Sequence, residues 1–196
     1  MRRKTFDALL TTGGLVLAAI LLVAGALLTW GYKFADNNVH TQLAAQRIYF
    51  PAKGSQALAP KEIGPYLEKY AGQQLTNGAQ AKAYADHFIA VHLKGIGGGL
   101  TYSQLSAKAQ AQPKNTALQN EVNTVFKGET LRGLLLNAYA FWKVGQIALI
   151  AAIASFAAAG VMLVLSVLGF LHLRRVNPSA ELLARMSGQN PATTTA

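Results

Sequence analysis

Asp86, His87 and His92 are the residues whose types come nearest to a chemical site, because a histidine beside a carboxylate can relay a proton and two histidines can hold a metal. Their spacing works against a simple site. On a regular helix, positions five apart lie roughly 140° around the axis, so His87 and His92 do not face one metal as an i, i+4 pair would. His40 reaches them only through tertiary folding. Polar surface or hydrogen bonding between helices is the competing role for all of them. The cluster Gly95-Ile96-Gly97-Gly98-Gly99 offers backbone amides to a phosphate. It follows Lys94, lacks a subsequent Gly-Lys-Ser/Thr and has no strand leading in, which favours a helix stop. Lys127, Glu129 and Arg132 suit lipid headgroups or a partner, or simply the solvation of a helix end.

The chain contains no cysteine, which excludes disulfides, thiolate metal sites and cysteine nucleophiles. Neither a hydrolase serine motif nor a paired-carboxylate pattern stands out. The residues therefore predict no catalytic side chain, no metal and no cofactor, and a protein that is not an enzyme.

The elements that must position these residues follow from where the apolar residues lie. Of 196 residues, 52% are hydrophobic and 13% charged, and the surplus is concentrated. Ala8 to Trp30 and Val144 to Leu173 contain no Asp, Glu, Lys or Arg, and a helix of about 20 apolar residues crosses a bilayer. The second run, about 30 residues long, would measure about 45 Å as a helix against about 30 Å of hydrocarbon, so tilt or protrusion is expected. The expected fold class is all-α: two transmembrane helices, 8–30 and 144–173, flanking a small helical extracytoplasmic domain, 31–143, with residues 1–7 and 174–196 cytoplasmic.

Charge sets that orientation. Arg2, Arg3 and Lys4 precede the first run, and Arg174 and Arg175 follow the second, which places both termini in the cytoplasm by the positive-inside rule. The middle segment carries twelve basic and six acidic residues, but long domains translocate largely regardless of charge. Trp30 and Tyr32 close the first run, and Tyr139, Phe141 and Trp142 precede the second, so Trp30, Tyr32, Tyr139 and Trp142, with Arg174 and Arg175, are the expected interface anchors. Ala24-Gly25-Ala26 imitates a signal-peptide cleavage site, but the apolar stretch exceeds the roughly 7 to 15 residues of a signal core and continues to Trp30. An uncleaved anchor fits better. Ala151, Ser155 and Ala159 recur every four positions, and Gly14 and Ala18 offer a shorter equivalent, a face on which helices can approach closely. Packing of the two spans on each other is the favoured use of that face, and homo-oligomerisation is the alternative.

In the middle segment, helical spacing of Val39 and Leu43 extends the first helix to about Gln46, and Ile48 to Pro51 reads as a short extended piece. Lys53 to Pro60 reads as a loop, a helix from about Pro60 stops near Gly72, and Asn77-Gly78 marks a turn. Ala79 to Lys94 carries Tyr84, Phe88 and Val91 on one stripe. Thr101 with Gln104, and Thr116 with Gln119, match capping boxes. The second opens a helix expected to end at Gly128, before Thr130 begins the run into the second span. In the tail, Ser179 to Met186 reads as a short helix and Ser187 to Ala196 as disordered.

Three stretches carry a resemblance: NNVHTQLAAQRIYFP at Asn37 to Pro51, YADHFIAVHLKGIGGGLTY at Tyr84 to Tyr102, and FKGETLRGLLLNAYAFWKVGQIAL at Phe126 to Leu149. They resemble a family of actinobacterial two-span membrane proteins of unestablished function, some of whose members are labelled aromatic ring-opening dioxygenases. The resemblance implies the two-span architecture and transfers no catalytic residue. A non-haem iron dioxygenase needs two histidines and a carboxylate converging on an open iron site.

The formal charge of +10 first suggests nucleic acid, but Arg2, Arg3, Lys4, Arg174, Arg175 and Arg185 have a topological explanation and the rest are scattered singly. Nucleic acid is therefore not an expected partner. The expected function is a membrane-anchored envelope protein whose outer domain binds a protein partner or stabilises a membrane complex. An extracytoplasmic ligand sensor acting through a separate signalling partner is the alternative.

Overall fold

The computed structural model describes residues 3–175, so the expected tail elements Ser179 to Met186 and Ser187 to Ala196, with Arg2 and Arg185, lie outside the described residues. Among the described residues the chain is all-helical and has no strand. The helices are α1 (Arg3–Ala45), α2 (Gly64–Leu67), α3 (Gly78–Ala83), α4 (Ala90–Ile96), α5 (Tyr102–Gln110) and α6 (Thr116–Leu173). Tight 3-10 turns occupy Gln56–Leu58, within the expected loop, and Glu68–Tyr70, and a π turn at Tyr84–Ile89 joins α3 to α4. Two helices, α1 and α6, are long and apolar enough to cross a membrane. Among the described residues the chain divides into two compact units: residues 3–30 with 148–175, and Gly31–Ile147.

In the first unit the two helices pair antiparallel. Gly14 lies against Ser166 and Met162, Gly25 against the Phe156 ring, and Gly169 against Thr11. The buried positions are Thr11, Gly14, Ala18 and Gly25 on α1, and Ala152, Ala159 and Ser166 on α6. A spacing of seven on α6 keeps a seam facing one partner along a pair of gently supercoiled helices, and small residues there let the backbones come close. Gly14, Ala18 and Ala159 belong to this seam. Ala151 and Ser155 are only half-buried, so the seam on α6 follows a period of seven and not the period of four read from the sequence. Outside it, Leu10 (68% exposed), Val23, Ile150 and Ile153 point away from all protein, the inverse of a soluble helix.

The second unit has a core of its own. Val39 and Leu43 of α1, Phe50, Leu67 of α2, Leu75, Ile89 and Leu135 of α6 form one buried cluster. Leu67 and Leu75 have no exposed surface. α1 ends where Arg47 takes a left-handed φ of 51°, and the Gln74 side-chain amide donates to the Ala44 carbonyl (2.8 Å), supplying a partner to one of the last carbonyls. The extended piece at Ile48–Phe50 pairs with Gln73–Leu75 through Phe50 N–H to Gln73 O and Leu75 N–H to Ile48 O. A smaller cluster of Leu105, Ala109, Leu118 and Val125 holds α5 on α6.

Four local expectations are corrected. Asn77-Gly78 starts a helix: the Asn77 side chain accepts from Gln80 N–H, the Gln80 side chain answers at the Asn77 N–H, and Gly78 sits on the Trp142 ring where no Cβ would fit. Asn115, not Thr116, caps α6, its side chain accepting from Leu118 N–H (3.1 Å), while Gln119 reaches back to the Ala109 carbonyl. Gly128 does not end a helix, because α6 runs through it and uses the missing side chain to admit Leu93 of α4. The stripe Ala79 to Lys94 is interrupted by the π turn. From Gly78 to Leu93 is fifteen residues, whereas their contacts on α6, Trp142 and Gly128, are fourteen apart. A π turn takes up one residue per turn beyond an α turn, so it absorbs the surplus.

Candidate functional site

Asp86 lies in the π turn, where its carboxylate pairs with Lys82 one turn earlier and with Arg132 of α6 at 3.5 Å. Arg132 also reaches Glu129 at 3.4 Å. Partial burial raises the Asp86 pKa, but the hydrogen bond and charge of Lys82, and then those of Arg132, outweigh it and hold the carboxyl below its usual range. Asp86 is thus a charged strut between the π turn and α6 and is poorly placed to take a proton. Burial pushes the Tyr84 hydroxyl up, keeping it neutral.

The histidines go to different neighbours. The His87 ring stacks flat on Tyr66, with centroids 3.6 Å apart and planes 4° from parallel. The His92 Nδ1 donates to the Phe88 carbonyl at 2.7 Å and its ring leans on Phe88. His40 stands exposed on α1. Among the described residues, no three His, Asp or Glu side chains come together as a metal-binding group. The two histidines and a carboxylate that a non-haem iron centre needs do not fit here, since Asp86 is held by cations and each histidine by an aromatic ring.

Asp86→Asn is expected to lower stability by about 1 kcal/mol at neutral pH, as partly exposed pairs do. The native pKa is depressed, so the pair's contribution is present above the ordinary carboxylate pKa of about 3.9 and is lost as pH falls through the lower native value. Denaturant melts of both proteins at neutral and strongly acidic pH check this. Equal stability at neutral pH would remove the strut.

The glycine cluster presents no amides to an anion. Gly97 N–H donates to Leu93 O, Gly99 N–H to Lys94 O and Leu100 N–H to Gly97 O, while Gly98 and Gly99 take φ of 59° and 83°. This is a helix stop whose amides are spent on the helix's own carbonyls.

The expected interface aromatics divide. Trp142 packs on Gly78, and Tyr139 lies beneath the Lys82 ammonium at 5.4 Å and beside Trp142, so both serve α3. Tyr32 is half-buried and Trp30 is exposed over most of its surface. Arg174 stacks over Phe170, and Arg175 is exposed.

A groove that the sequence reading did not isolate lies between α1 and α6 within the second unit. It has a volume of about 430 Å³, with Val39, Leu43, Leu131, Leu134, Ala138 and Phe141 lining it. Asn38, Gln42, Gln46 and Asn137, all exposed, border it, and no lining side chain is charged. Leu134 is 63% exposed and Phe141 41%. Leu131, Leu134, Ala138 and Phe141 follow the 3-4-3 spacing of one helix face. In sequence that spacing merges with the apolar approach to the second long run, which hides it.

No protein-family model matches the chain, and no match is found among the curated proteins or the solved structures.

Proposed function

We propose that this chain is a two-span protein of the cell membrane, with both termini cytoplasmic, whose helical domain lies outside and binds the apolar helix of a membrane or envelope protein partner. The role is that of an accessory or scaffold subunit. The single observation behind it is the groove: a row of exposed leucine and phenylalanine side chains bounded by uncharged amides, which suits an apolar helix with polar edges. Support for the membrane comes from two apolar helices whose large side chains face away from protein. Arg3 and Lys4 before the first run and Arg174 and Arg175 after the second support the orientation.

A photo-crosslinking residue at position 134, introduced into the full chain in its native membrane, is expected to give one defined adduct with a second protein. The same residue at position 120, exposed on α6 and about three turns before Leu131, gives none. Leu134→Glu then abolishes binding to that purified partner. No adduct at position 134, or binding indifferent to Leu134→Glu, would exclude the groove as the docking site. Its volume also lies within the range of small-molecule sites, which is the observation favouring a ligand sensor. A small molecule that raises the melting temperature of the full chain, and loses that effect in Leu134→Glu, would support the sensor instead.

Orientation has its own test, made direct by the absence of cysteine. A cysteine at Lys61 is expected to react with a membrane-impermeant maleimide in intact cells, and one at Thr5 only after lysis. The reverse pattern would invert the topology.

A further inference from the structure

A second surface, separate from the groove, carries both exposed apolar side chains and unpaired positive charge. Where α4 stops, Ile96 and Leu100 stand exposed. Gly97 at the same turn lies 3.7 Å from Val125 of α6 when its missing Cβ is considered. Beside them, the Tyr102 ring at the start of α5 meets the Phe126 ring of α6 with centroids 5.5 Å apart, and both remain exposed. Lys94, whose carbonyl accepts from Gly99, is the exposed residue two before Ile96, and Lys127, also exposed, follows Phe126 on α6. From residue 94 to 127 the chain carries Lys94, Lys108, Lys114 and Lys127 against Glu121, all exposed, and Glu62 is the one acidic side chain lining the same hollow as Lys94. The ion pairs of this unit are Lys82–Asp86, Arg132–Asp86 and Arg132–Glu129. None neutralises these four lysines.

We propose that this tip, formed by the α4–α5 turn and the adjoining face of α6, docks on an anionic lipid surface, with Lys94 and Lys127 at the headgroups and Tyr102 and Phe126 at the interface. A soluble acidic partner would be satisfied by the lysines alone and would leave four large apolar side chains in water. Lipid headgroups supply the negative charge and the interfacial layer takes the aromatic rings, which are amphipathic or apolar and favour that depth. The lysines draw the tip to the surface over a Debye length, and the rings then add contact that salt does not screen.

The full chain held in nanodiscs of neutral phosphatidylcholine is mixed with free vesicles, and co-flotation is measured. Vesicles rich in phosphatidylglycerol are expected to carry the protein, and pure phosphatidylcholine vesicles are not. Lys94→Gln with Lys127→Gln is expected to weaken binding by about twenty-five-fold, as each basic residue near an anionic surface contributes about a factor of five. Tyr102→Ser with Phe126→Ser is expected to remove the fraction of binding that persists at high salt. Both pairs alter exposed side chains, and unchanged melting temperatures verify the fold. Equal flotation with both vesicle types, or anionic binding indifferent to both pairs, would overturn the proposal. So would retention on a soluble acidic polymer without flotation, which would identify an acidic polymer as the partner. None of these outcomes bears on the groove.

Discussion

Leu67→Ala is expected to cost the helical domain about 3 kcal/mol, the middle of the range for a fully buried leucine whose neighbours cannot collapse into the gap. Leu67 has no exposed surface and lies in α2, a helix of only four residues. So short a helix has no stability of its own and exists because Ile63 and Leu67 are inserted into the core. Removing the side chain also loosens the Tyr66 ring from His87, since Tyr66 is the adjacent residue of α2. Leu134→Ala is the internal control, because its side chain is 63% exposed and borders the groove. It should change stability by less than about 0.5 kcal/mol while weakening the partner binding proposed for that groove. Denaturant melts of the two variants beside the unsubstituted chain measure the difference. A loss below about 1 kcal/mol for Leu67→Ala would mean that α2 frays independently of the core.

The second large effect concerns the seam in the first unit. A Cβ built on Gly14 lies 3.9 Å from the Ser166 Cβ, within the roughly 3.5 to 4.5 Å that a disulfide spans. Gly14→Cys with Ser166→Cys is therefore expected to close a near-quantitative intramolecular crosslink on mild oxidation, with no native thiol to compete. Adding Ala159→Phe to that pair is expected to abolish it. Ala159 has no exposed surface, and a ring there costs about 1 to 3 kcal/mol of overpacking. Helices paired through small residues have little else to hold them at that distance. Non-reducing gel mobility reads both results. Crosslinked dimers in place of the intramolecular product would mean that the seam joins two copies.

Parts of this fold were legible because they depend on local chemistry. The two long helices announce themselves by charge-free length, and Thr101 with Gln104 forms the reciprocal cap its spacing implies. The stop at Gly97–Gly99 follows from glycine's freedom at positive φ. What was not legible depends on a partner distant in sequence. Gly128 reads as a terminator unless Leu93 is known to need its space. Gly78 likewise reads as a turn until Trp142 is seen against it. The seam was misread by one residue on α6, because alanine is so frequent there that four- and seven-residue periods both find matches in the sequence. For the candidate site, the spacing of His87 and His92 was read on a regular-helix geometry that the π turn does not obey. What separates them is an aromatic neighbour for each, Tyr66 and Phe88, which no spacing rule reveals.

The π turn also fixes where this domain can lose length over evolutionary time. It stores one spare residue between two contacts on the same helix, Gly78 with Trp142 and Leu93 with Gly128. Deleting Ala85 would let the segment revert to plain α-helix and bring the two intervals into step, so both contacts survive the shortening. Deleting a residue from α4 instead, beyond the turn, would rotate everything after it by about 100° and carry the glycine stop away from Val125. A single-codon deletion is therefore tolerable at Ala85 and disruptive a few positions later.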